Sequence, residues 1–133
     1  MTQATTAAPT ASPYDLIGGA QAVRGLVERF YDLMDAEPEF AELRHLHAPD
    51  LSPMRDSLAG FLTGWLGGPR DWFESNPGKC MMSAHRAVPI DQTTAGQWVA
   101  AMNQALSDSA IEPEFAARLG ETFIRMAAGM VRA

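Results

Sequence analysis

Apolar residues recur along this chain at the spacing of one helix face after another. Val23, Leu26, Val27, Phe30, Tyr31 and Met34 stand at i, i+3, i+4, i+7, i+8 and i+11. That spacing puts all six on one stripe and predicts a long amphipathic helix with Tyr31 facing inward. A second stripe of Met54, Leu58, Phe61, Leu62 and Trp65 follows Ser52-Pro53, where the serine is placed to cap the helix and the proline is preset for its first turn. Two further stripes close the chain. Trp98, Met102, Ala105 and Leu106 line a helix capped by Asp91 or Thr93, and Phe115, Leu119, Thr122, Phe123, Met126 and Met130 line another that Pro113 opens.

Breakers separate these helices. Pro13 to Ile17 forms a short turn that Gly18-Gly19 ends, and Pro38 admits a shorter helix through Phe40 and Leu43. His45-Leu46-His47-Ala48-Pro49-Asp50 then reads as a loop. Gly67-Gly68-Pro69 stops the second stripe, and from Arg70 to Pro77 no period is visible. Pro77-Gly78 turns the chain into the apolar segment 79–86, which carries His85 and which Pro89 closes. Residues 1–12, rich in Ala and Thr and without a charged side chain, read as a flexible tail, leaving 13–133 as one domain.

Composition narrows the class. With 47% hydrophobic residues, and with Ala, Leu and Met prevailing over Val and Ile, an all-α protein is expected. A net charge of −6 and only ten scattered basic residues argue against nucleic acid or an anionic membrane as a partner. The single cysteine, Cys80, precludes an internal disulfide and reads as a packing residue. No long apolar span stands out, so a cytoplasmic location is expected. Gly67-Gly68 precedes Pro69, whose missing amide spoils a phosphate-cradling loop.

By itself, His85 on an apolar stretch reads more readily as a core histidine bonded to a carbonyl than as a metal ligand. Tyr31 and Trp98 likewise fit plain core packing. Their surroundings change this. The succession of Gly18-Gly19, Phe30-Tyr31, Phe61-Leu62, Trp65-Leu66-Gly67-Gly68-Pro69, His85, Ile90 and Trp98 resembles a group II truncated haemoglobin, with the similarity running over residues 13–131.

The resemblance implies a two-over-two helical sandwich enclosing haem b. His85 matches the proximal iron ligand, and a neutral imidazole held at its other nitrogen would bind iron from one side and leave the sixth position open. Tyr31 and Trp98 fall on distal polar positions, and His47 falls on the corner position, together offering three donors to a bound ligand. Met54, Leu58, Phe61, Met81, Ile90 and Met102 would form the apolar wall, although by spacing each is equally ordinary helix-packing core. Met54 occupies the position that full-length globins fill with a distal histidine. Many relatives carry Gly-His-Pro before the proximal helix and basic residues just before the ligand, whereas Pro77-Gly78-Lys79 and Ser83-Ala84 stand here. Arg86, Arg55 and Lys79 are the candidate partners of the haem edge.

The implied function is binding of dioxygen, and of nitric oxide, carbon monoxide or peroxide, at pentacoordinate iron with slow release of dioxygen. An unidentified reductase would keep the iron ferrous, and the chain is expected to be a monomer or weak homodimer. Two alternatives remain open on sequence: a haem enzyme turning over peroxide or nitric oxide, and a cofactor-free helical interaction module.

Overall fold

The computed structural model describes residues 12–77 and 88–131. Among them are seven α-helices and no strand: α1 (Pro13–Ile17), α2 (Gly19–Ala36), α3 (Ala41–His45), α4 (Ser52–Trp65), α5 (Asp71–Ser75), α6 (Gln92–Asp108) and α7 (Pro113–Met130). A 3-10 turn at Pro38–Phe40 leads into α3. The pair α2 and α4 packs against the pair α6 and α7, the arrangement of a two-over-two sandwich.

The α2 stripe buries as its spacing requires, whereas the α4 stripe does not bury throughout, its last residue Trp65 being 37% exposed. Val23, Leu26, Val27, Phe30, Tyr31 and Met34 of α2 are all buried, together with Phe61 and Leu62 of α4 and Leu119 and Phe123 of α7. Local chemistry sets the helix ends. Ser12 and Asp15 form a reciprocal capping box at the start of α1. Gly18, at φ +118°, closes that helix in the left-handed region before α2 begins. Asp91 rather than Thr93 caps α6, its carboxylate accepting the Thr94 N–H at 2.8 Å while the Thr94 hydroxyl takes the Asp91 N–H at 3.0 Å.

Two details depart from the sequence reading. Ser52 does not cap α4. It is the first residue inside the helix, and the Asp50 carboxylate accepts its N–H at 3.0 Å. The stretch from Arg70 to Pro77 holds the one-turn helix α5, too short to display a period. Its two adjacent aromatics, Trp72 and Phe73, lie against α4, where Gly60 and Gly64 leave room for them one turn apart. A Cβ on Gly64 would come within 2.5 Å of the Phe73 ring, and one on Gly60 within 2.9 Å of Trp72 Cβ.

Alanine is therefore expected to have opposite effects at two mid-helix glycines. Gly64→Ala should destabilise the protein by about 1–3 kcal/mol through overpacking. Gly25→Ala, with open space around the added methyl, should stabilise it by about 0.5–1 kcal/mol through helix propensity. Denaturant midpoints measure both.

Candidate functional site

A cavity of about 300 Å³ lies between the two helix pairs. Its α4 wall is Met54, Ser57, Leu58 and Phe61, and α5 adds Trp72. Tyr31 of α2 and the corner residues Leu43, Leu46 and His47 form another side. Val88, Ile90, Thr94, Ala95 and Trp98 supply a third, and Met126, Ala127 and Met130 of α7 are the other lining residues among those described. The volume is at the lower end of cofactor pockets, and the lining is mainly apolar with a few polar tips.

The structure thus brings Tyr31, His47, Met54, Leu58, Phe61, Ile90 and Trp98 to one cavity. Met102 is not among the lining residues. It is fully buried in the helix-packing core, one turn beyond Trp98 on the same stripe of α6. His85, Met81, Arg86, Lys79 and Cys80 lie outside the described residues. Sequence reasoning missed Trp72, whose helix showed no period, and did not assign Met126 or Met130 to a cavity, because their stripe indicates only burial.

Tyr31 is 5% exposed, and its ring meets Phe30 edge-on with centroids 4.9 Å apart. Its hydroxyl forms no hydrogen bond among the described residues, an unusual state for a buried tyrosine. Burial pushes its pKa up to about 12, which the nearby Arg55 charge partly offsets, so the hydroxyl is a firmly protonated donor. Trp98 stands beside it across Phe30, 6.0 Å from that ring. The Trp98 indole N–H likewise forms no hydrogen bond among the described residues.

His47 is held differently. Its Nδ1 lies 2.9 Å from the Leu43 carbonyl oxygen. A carbonyl only accepts, so Nδ1 carries a proton, and in the singly protonated ring Nε2 is then an acceptor. With Nδ1 so engaged, His47 donates from Nε2 only when its ring is doubly protonated, whereas Tyr31 and Trp98 each carry a donor at neutral pH. The His47 ring faces Tyr31 edge-on at 6.0 Å.

The corner carrying His47 is pinned from two directions. Arg44 donates to Asp35 at 2.9 Å and to the carbonyls of Ala48 and Pro49 at 3.0 and 2.8 Å. From α6, Gln97 accepts the Leu43 N–H at 3.0 Å and donates to Glu42 at 2.7 Å. That bond satisfies an amide in the first turn of α3, which has no partner within its own helix.

Arg55, a sequence candidate for the haem edge, is committed elsewhere. It donates to the Glu28 carboxylate and carbonyl and, at 3.0 Å, to Asp32, tying α4 to α2. Its guanidinium carbon stands 5.8 Å from the centre of the Tyr31 ring. Arg24 extends the cluster, pairing with Glu28 at 2.6 Å and Asp56 at 2.8 Å.

This constellation has close parallels. Residues 12–132 match the bacterial-like globin family. The chain is 28% identical over 103 residues to the group 2 truncated hemoglobin YjbI of Bacillus subtilis, covering 77% of this chain and 75% of that protein. The solved group II 2-on-2 hemoglobin of Agrobacterium tumefaciens superimposes with a TM-score of 0.89 at 30% identity, covering 96% of this chain and 98% of the other. The truncated oxygen-avid haemoglobin of Bacillus subtilis does so with a TM-score of 0.82 at 27% identity, over 92% and 100%.

The chain is a bacterial-like globin of the group II truncated haemoglobin type. As a truncated haemoglobin it takes haem as its cofactor and small gaseous molecules as ligands. The residues present fit that group on an observation of their own. The cavity between the helix pairs is apolar, yet the Tyr31 hydroxyl lies buried on its wall without a hydrogen-bond partner among the described residues. A buried donor of this kind suits a polar ligand inside an apolar cleft.

Proposed function

We propose that this truncated haemoglobin binds dioxygen and other diatomic ligands on pentacoordinate haem b, and that Tyr31 and Trp98 slow the release of dioxygen. When bound, haem supplies the ferrous iron on which such ligands coordinate. His85 would hold it from the proximal side, with Arg86 and Lys79 as candidates for its edge; these assignments rest on the family pattern. Leu58, Phe61, Val88 and Ile90 offer apolar contact, and the hydroxyl of Tyr31 and the indole of Trp98 offer donors.

The observation that carries the reading is the buried Tyr31 hydroxyl on the cavity wall beside Trp98, without a hydrogen-bond partner among the described residues. Donors aimed at a partly negative oxygen are each worth about 1.5–3 kcal/mol. Slow release opposes unloading, which favours ligand retention, sensing or redox chemistry over transport. The Bacillus subtilis relative is oxygen-avid, and the same property is proposed here. Keeping the iron ferrous needs a reductase, which favours the cytoplasm, and we take the working state to be a monomer or weak homodimer.

Absorption spectroscopy of protein purified after haem supplementation tests the cofactor. An intense Soret band is expected, weakened or shifted by His85→Ala. Absence of the band in the parent protein would overturn the haem reading and leave a helical interaction module. An unchanged band in His85→Ala would remove His85 as the ligand.

A further inference from the structure

All three tryptophans of the chain belong to one array of touching rings. One branch starts at Trp98 on the cavity wall, meets Phe123 edge-on at 5.4 Å, and continues to Trp65, which stacks on Phe123 at 6.1 Å with the planes 23° apart. The other starts at Trp72, also on the wall, meets Phe61 edge-on at 5.6 Å, and again reaches Trp65, stacked on Phe61 at 6.3 Å with the planes 17° apart. Tyr31 joins the first branch through Phe30.

Both branches therefore converge on Trp65, the last residue of α4. Its partners Phe61 and Phe123 are buried, but Trp65 is 37% exposed and is one of three large hydrophobic side chains exposed among the described residues. Leu16 and Ile124, the other two, carry no redox chemistry. Indole gives up an electron far more readily than a phenyl ring. The phenylalanines thus act as space-filling bridges between tryptophans, and Trp65 is the one indole of the array that combines contact with both branches and substantial exposure.

We propose that Trp65 is a surface electron-transfer site, through which phenol-class one-electron donors reduce the haem pocket after hydrogen peroxide has oxidised it. The inference rests on the haem reading above but does not depend on the distal donors' effect on dioxygen. Hydrogen peroxide takes up two electrons and two protons and leaves as two waters. Trp65 passes one electron inward through the ring array and loses its indole N–H proton to solvent, becoming a neutral radical. A phenol at the surface returns one electron and one proton to Trp65 and departs as a phenoxyl radical. Two such cycles balance one peroxide. Donors too large for the cavity are therefore served at the surface.

The test uses haem-loaded protein treated with stoichiometric hydrogen peroxide and a nitroso spin trap, read by electron paramagnetic resonance and by peptide mass mapping. The expected result is a tryptophan-centred radical and a trap adduct on Trp65. Trp65→Phe should lose that adduct while keeping the Soret band and the dioxygen release rate. Trp65→Tyr should restore a trapped radical at the same position, a rescue that a packing role does not produce. With a bulky phenolic donor such as a polymer-linked phenol, turnover should fall in Trp65→Phe and recover in Trp65→Tyr. Adducts confined to Tyr31, Trp72 or Trp98 in the parent protein, or bulky-donor turnover unchanged in Trp65→Phe, would overturn the assignment. A parent protein without a Soret band would instead overturn the haem reading itself.

Discussion

Trp98→Phe should speed dissociation of dioxygen from the ferrous, haem-loaded protein by about tenfold or more, the effect of losing one hydrogen bond to a partly negative acceptor. Tyr31→Phe removes the second donor and should act in the same direction with a similar size. Together the two substitutions should accelerate release by about a hundredfold or more, if the two bonds add. Stopped-flow displacement of dioxygen by carbon monoxide reads these rates. An unchanged rate in either single variant would remove that residue from the donor set. His47→Leu should have a smaller effect at neutral pH, because the Nδ1 proton of His47 is already bonded to the Leu43 carbonyl and its Nε2 then only accepts.

Alkaline pH should destabilise the protein through Tyr31, whose pKa stands near 12 in the folded chain against 10.0 for a free tyrosine. Between these values the folded state holds a proton that the unfolded chain has released, so stability falls as pH rises. The contribution is fully present below about pH 10 and is lost as the pH passes through about 12, amounting to about 3 kcal/mol in all. Denaturant midpoints at about pH 9 and pH 12, compared between the parent protein and Tyr31→Phe, isolate this from other alkaline effects, because the variant has no phenol at that position to ionise. The parent protein should lose more stability than the variant across the interval. Equal losses would show that the Tyr31 hydroxyl is not held protonated by burial. Because the Arg55 charge lowers the Tyr31 pKa, Arg55→Met should move its ionisation to still higher pH, visible as a shift of the tyrosinate absorbance.

The longest helices were legible because their stripes are long. In α2, six apolar positions spread over three turns leave one orientation that buries them all, and all six are buried. Helix α5 was not legible, because one turn offers no period. The glycines at 60 and 64, one turn apart inside a helix, were the only trace of the aromatics that pack against them. Ser52 had the chemistry of a cap but lies one residue inside the helix, with Asp50 bonding its amide from the preceding loop.

The site was legible in part for a related reason. Trp98 and Met102 share a stripe on α6, and periodicity assigns both to the interior without saying which part of it each meets. Only Trp98 reaches the cavity, while Met102 lies in the core. On α7 the same ambiguity concealed Met126 and Met130, which do reach the cavity.

By itself the sequence determined the helical class, the inward faces of the long helices and the family pattern that points to haem, since these depend on local propensity and on residue types in order. Only the tertiary structure decided which inward residues share the cavity, that Arg55 clamps α2 to α4, that His47 Nδ1 meets the Leu43 carbonyl, and that every tryptophan joins one ring array ending at Trp65. Those outcomes turn on the approach of elements distant in sequence and on which backbone carbonyl a side chain meets, and neither is encoded in the period of a single helix.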